Sequence, residues 1–210
     1  VPDTLSREFH TFEPRHGHGL AHDPLNSIVA PRPIGWISTV DGRGRRNLAP
    51  YSFFNLLCYT PPILGFSSTG RKDSLANCEE TGEFVWNLVT QRLAQAMNAT
   101  SAGAPHGTDE FALAGLTPAA SLKVKPARVG ESPVAFECKV IDIIRLKYAD
   151  GRPTDSWLTL GEAVAIHIDK ALIENGVYNT VLAEPIVRGG GPADYFTIGE
   201  PQRFRMTRPG

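Results

Sequence analysis

The chain has 210 residues, 41% of them hydrophobic and 20% charged, and carries a formal net charge of -1. That balance suits a single folded domain and excludes a disordered polyelectrolyte. A near-neutral chain supplies no global field for nucleic acid or an anionic bilayer, and no apolar run approaches the length of a membrane span.

Residues 1–24 read as a polar arm rich in Gly, Pro and His, without a signal-peptide pattern. Its histidines, "HGH" at 16–18 and His22, lack helical spacing and a carboxylate partner, so no metal site is assigned. "SIVAPRPIGWISTV" is β-rich, but Pro31 and Pro33 push the firm strand to about Ile34. "DGRG" at 41–44 is a tight turn with Asp41-Gly42 suited to positive φ, and "RRNLAPYSFFNLLCY" returns from it as a hairpin. Ile63 to Ser67 is a short strand. "DSLANCEET" is a short helix with Ser74 as its expected N-cap and Gly82 as its C′ residue.

"EFVWNLVT" reads as a strand and "QRLAQAMNAT" as a helix. Residues 101–110 form a loop and "DEFALAGL" contains a short helix; the stretch 101–116 is expected to act either as a lid or as a surface excursion anchored to the core by Phe111 and Leu113. "VAFECKVIDII" alternates, with Val134, Phe136, Cys138 and Val140 on one face and Glu137 and Lys139 opposite. "GEAVAIHID" groups Val164, Ile166 and Ile168. Strands dominate and do not alternate with long helices, so a mostly antiparallel barrel is expected. Cys58, Cys78 and Cys138 are odd in number and widely spaced, which fits reduced thiols in a cytoplasmic setting.

Three stretches carry chemistry. In "STGRKDS", Lys72 supplies a cation beside a helix start, with the hydroxyls of Ser67, Ser68 and Ser74 close by. These are the groups a phosphate monoester needs, although the carboxylate of Asp73 would repel it. "NLAPYSFFN" combines amides, a hydroxyl and three aromatic rings, suited to a flat amphipathic ring system. "RGGGPADY" allows close backbone approach beside Arg188 but is no dinucleotide fingerprint. No triad spacing is present, and His106 is read as an ordinary loop histidine.

The blocks "PLNSIVAPRPIGWIST", "NLAPYSFFNLL", "PPILGFSS", "KDSLANCEETGEFVWNLV" and "DEFALAGLT", in this order, resemble the flavin reductase-like, FMN-binding split-barrel family. The likeness runs from about Leu25 to Leu116, with "RGGGPADYF" as a further block. It implies an antiparallel split β-barrel over residues 25–200 with short helical insertions, followed by a tail at 201–210. It also implies a homodimer with one FMN per subunit. Ala49, Pro50, Tyr51, Ser52, Phe53 and Phe54 would border the ring and ribityl chain. Ser67, Ser68, Lys72, Asp73 and Ser74 would hold the phosphate. Ser38 and Thr39 would lie near the flavin, and Arg188 and Tyr195 would close the site.

The implied activity is NAD(P)H-dependent reduction of flavin or a small acceptor, with a monooxygenase as a possible recipient of reduced flavin. A non-catalytic flavin carrier, or an FMN enzyme with its own organic substrate, are the alternatives. The cofactor carries the hydride chemistry, so no residue is assigned as catalytic.

Overall fold

The computed structural model describes residues 7–191 and 193–209; residues 1–6 of the arm, Pro192 of the glycine-rich block and Gly210 of the tail lie outside the described residues. A four-residue helix, Leu25–Ile28 (α1), precedes Arg32–Pro33 (β1) and Gly35–Val40 (β2). Then come Arg46–Tyr51 (β3), Phe54–Cys58 (β4), Ile63–Thr69 (β5), Asp73–Thr81 (α2) and Glu83–Asn87 (β6). Ala94–Ala99 (α3), Glu110–Leu113 (α4) and the short pair Pro118–Ala119 (β7) and Arg128–Val129 (β8) follow. The long strands Val134–Lys147 (β9) and Pro153–Ile168 (β10) lead to Ile173–Glu174 (β11), Val177–Tyr178 (β12), Ile186–Arg188 (β13) and Tyr195–Thr197 (β14).

Seven strands form one antiparallel sheet in the order β3-β2-β6-β9-β10-β5-β4. Its two edges, β3 and β4, are joined by Ser52 and Phe53 alone. Laid flat, the outer strands of such a sheet would stand about 29 Å apart. Three extended residue steps cover only about 11 Å. The sheet therefore curls until its edges face each other, giving the expected split barrel with the "YSFF" stretch at the split.

Every residue of β2 is buried, which is why "GWISTV" shows no polar alternation. Trp36 enters one core cluster with Leu48, Met97 and Phe111, and Ile37 enters another with Phe66, Phe84 and Cys138. Gly82 closes α2 in the left-handed region at φ 70°, as expected. In the 41–44 turn the positive φ falls on Gly44 (83°) and not on Gly42, because Asp41 Oδ1 accepts the N–H groups of Arg43 and Arg45 and fixes the residues between.

One expectation for the long strands needs correction. Glu137, placed on a polar face, is fully buried: its carboxylate accepts Leu122 N at 2.7 Å, Lys123 N at 2.6 Å and bonds His167 Nε2 at 2.6 Å. The 120–126 loop folds over it, which alternation alone cannot reveal. Val164, Ile166 and Ile168, by contrast, are 37%, 47% and 38% exposed, so an apolar stripe of β10 is uncovered in the single chain. No described helix is long and apolar enough to cross a membrane.

Candidate flavin site

A cavity of about 660 Å³ opens at the split. One wall is the Ile28–Pro33 lead into β1. The other is Ser52, Phe53, Phe54 and Asn55, with Ser67 and Leu158 at its side. The walls are fixed from below. Ser67 N donates to Phe53 O at 2.8 Å, tying β5 to the crossover. The Phe54 ring stacks on Trp86 at 5.5 Å and lies across Gly35, where a Cβ would come within 2.8 Å of it. Any side chain at Gly35 would thus displace the wall.

From Ser67 the chain runs through Arg71 and Lys72 into α2. Lys72, not Ser74, is the N-cap residue, in extended conformation and exposed. Ser74 lies inside the first turn and is fully buried, where its Oγ accepts from Asn47 Nδ2 at 2.9 Å. Asn47 also donates to Thr39 Oγ1 at 3.0 Å, and Asn77 Nδ2 reaches the same oxygen at 3.0 Å. This polar knot pins the start of α2 to β2 and β3. Ser68 is buried beside it and donates to Gly70 O at 2.9 Å.

The Tyr51 phenol lies next to Ser68 and Ser74, and burial pushes its pKa up to about 12. Its hydroxyl is buried yet reaches hydrogen-bond geometry with no described residue. An unpaired buried hydroxyl is costly. One cation, three neighbouring hydroxyls and the N-terminus of a nine-residue helix form a donor set of the kind a phosphate monoester requires. The residues at this corner fit the phosphate end of FMN.

Several expected residues are elsewhere. Ser38 is fully buried and donates to Ala127 O, and Thr39 is spent in the Asn47 knot; neither lines the cavity. Asp73 bonds His106 Nδ1 at 2.6 Å and Gly107 N at 3.1 Å, so its carboxylate is taken up by the 101–110 loop. That loop, expected as a lid, lines no part of the cavity and is docked on α2 instead. Ala49 is half-buried in β3. Arg188 and Tyr195 line a neighbouring cleft of about 440 Å³.

Arg32 stands between Pro31 and Pro33 and carries no motif signal of its own in the sequence. It is 8% exposed, lines the cavity and stands 5.8 Å from the Phe53 ring centre. Its Nη1 donates to Asn26 O at 2.5 Å and Val29 O at 2.6 Å, and its Nη2 to Gly189 O at 3.3 Å, while Nε is buried without a partner among the described residues. Burial, and then the charge of Arg188, depress its pKa.

Residues 28–182 match the model of the flavin reductase like domain. The chain belongs to the flavin reductase-like family. A relative from Aquifex aeolicus, itself uncharacterized, is 37% identical over 179 residues, 82% of this chain and 88% of that one. Component B of nitrilotriacetate monooxygenase from Bacillus cereus has a similar structure, with a TM-score of 0.84 and 29% identity over 96% of this chain and 100% of that chain. The 2-nitrobenzoate 2-nitroreductase of Pseudomonas fluorescens also superposes, with a TM-score of 0.76 and 29% identity over 88% of each chain.

Proposed function

We propose that the protein is an FMN-dependent oxidoreductase that takes hydride from NAD(P)H. The observation that carries the reading is the Phe53–Phe54 wall of the cavity with Ser67 at its side, from which the chain leads within five residues to Lys72 at the start of α2. It offers an aromatic seat at one end and an anion seat at the other. Pro50, Ser52, Phe53, Phe54 and the Ala49 backbone would border the ring and ribityl chain. Ser67 and Lys72 would meet the phosphate, with Ser68, Ser74 and Tyr51 supporting it from beneath. FMN, when bound, supplies an acceptor for two electrons and a proton; the chain places it, keeps Asp73 occupied elsewhere and shields one face of the ring.

The acceptor follows the named relatives. One pairs with a monooxygenase, which suggests delivery of reduced flavin, and the other reduces a nitroaromatic acid. The three cysteines are free thiols, which suits a cytoplasmic setting. The exposed stripe of Val164, Ile166 and Ile168 supports a homodimer, since a contiguous apolar face of a sheet is commonly covered by a second copy. NAD(P)H oxidation by FMN-loaded protein, with free FMN or 2-nitrobenzoate as acceptor, tests the reading. No oxidation of either nucleotide, with either acceptor, would leave only a flavin carrier.

A further inference from the structure

β1, β13 and β14 form a small antiparallel sheet in which Arg32 is the register partner of Arg188, and Arg188 that of Tyr195. Directly paired residues of antiparallel strands project on the same face. Arg32, Arg188 and Tyr195 therefore form one row, about 10 Å long across two strand spacings. An aromatic ring stands at each end: Arg32 beside Phe53 at 5.8 Å and Arg188 over Tyr195 at 4.7 Å.

Two guanidinium groups in register repel each other. Among the described residues the hydrogen-bond partners of Arg32 are all neutral carbonyls, which carry no full charge to offset its own. Arg188 donates to the carbonyls of Asp194 and Gly191, which hold its head on the hairpin turn. The arrangement makes sense when an anion visits it.

The position of the row narrows the anion. Its Arg32 end lines the flavin cavity, and its Arg188–Tyr195 end lines the cleft of about 440 Å³ between α3 and the β13–β14 hairpin. Across that cleft, Gln91, Gln95 and Asn98 recur at helical spacing and line it with amides. Amides that both donate and accept, beside an exposed aromatic ring, suit a purine and its ribose. A ligand reaching from the flavin to this cleft is two-ended, with negative charge in the middle.

We infer that the Arg32–Arg188 row binds the diphosphate of the nicotinamide dinucleotide, with the adenosine half in the cleft under Tyr195 and Gln95. This rests on the reading of the protein as an NAD(P)H oxidoreductase, but the site is tested separately from hydride transfer.

The probe is ADP-ribose, which carries the diphosphate and adenosine and lacks the nicotinamide. It is titrated calorimetrically into FMN-loaded protein, beside steady-state kinetics with NADH and NADPH. Arg188→Gln should weaken ADP-ribose and raise the KM for the nucleotide by ~tenfold or more, with a shallower salt dependence. FMN affinity should stay within about twofold, because the flavin anchor is at Lys72. Gln95→Glu, at an exposed helix position that should not affect folding, should weaken ADP-ribose several-fold by adding a like charge. Unchanged ADP-ribose binding in both variants overturns the site. So does a wild-type protein that oxidises NAD(P)H but takes no ADP-ribose, or one in which benzoate occupies the row and ADP-ribose does not displace it. ADP-ribose binding lost in Arg188→Gln, with neither nucleotide able to reduce the flavin, keeps the site and removes the oxidoreductase reading instead.

Discussion

Asp73 Oδ1 lies 2.6 Å from His106 Nδ1, and this contact decides what the start of α2 offers to a ligand. A free carboxylate beside Lys72 would cancel much of its attraction for a phosphate. Here the 101–110 loop takes up both carboxylate oxygens, one through His106 and one through the Gly107 N–H.

Asp73→Ala should therefore loosen the loop without harming the flavin site. The pair is partly exposed, so the stability loss is expected at about 1 kcal/mol. Hydrogen exchange at Gly107 and Thr108 should quicken while FMN affinity holds or rises slightly. A tenfold or larger loss of FMN would return Asp73 to the cofactor site.

Lys72→Ala should separate FMN from riboflavin. Arg71 is committed to Glu79, which leaves Lys72 as the cation at the helix start. Loss of a charge-assisted contact worth about 1.5–3 kcal/mol weakens FMN by roughly ten- to a hundredfold. Riboflavin has no phosphate and should bind almost as before. Equal losses for both flavins would remove the phosphate assignment.

Glu137→Gln should destabilise the fold in a pH-dependent way. Burial disfavours the charged carboxylate, but donors from Leu122, His167 and Lys123 outweigh it and hold its pKa below the ordinary range. A folded pKa below the unfolded one means stability that is present above the unfolded value. It is lost as pH falls through the folded value. At neutral pH the variant should be less stable by about 2–3 kcal/mol in urea denaturation. The gap should close in acid; a gap that stays constant down to the acid transition would contradict the assignment.

Much of this was legible in the sequence, and the exceptions have physical causes. Strand periodicity and the Gly82 stop follow local rules, so β6, α2, most of β9 and the second half of β10 fall where their patterns put them, while the Pro153–Leu160 half of β10 carries no such pattern. The proposed phosphate seat at Lys72 is legible in sequence because cation, hydroxyls and helix start are adjacent in the chain. The surroundings of Thr39 and Ser74 are not legible, because what their hydroxyls bond depends on Asn47 and Asn77, a contact between separate elements. Arg32 was missed for a related reason: its partner Arg188 is distant in sequence, and only the strand pairing joins them.

Ile166→Glu tests the proposed dimer. The side chain is 47% exposed in the single chain, so a charge there should cost a monomer little. Buried at an interface, an unpaired carboxylate would be expelled. Sedimentation at micromolar concentration should show a dimer for the natural protein and a monomer for the variant. Identical behaviour of the two would move the interface to another face.

The most direct measurement is anaerobic addition of NADH or NADPH to the FMN-loaded protein, followed by the visible absorption of the flavin. The expected result is bleaching by one or both nucleotides, with full recovery of the colour on admitting an acceptor. Tight FMN binding with a spectrum that neither nucleotide changes would contradict the oxidoreductase and leave a protein that only carries flavin.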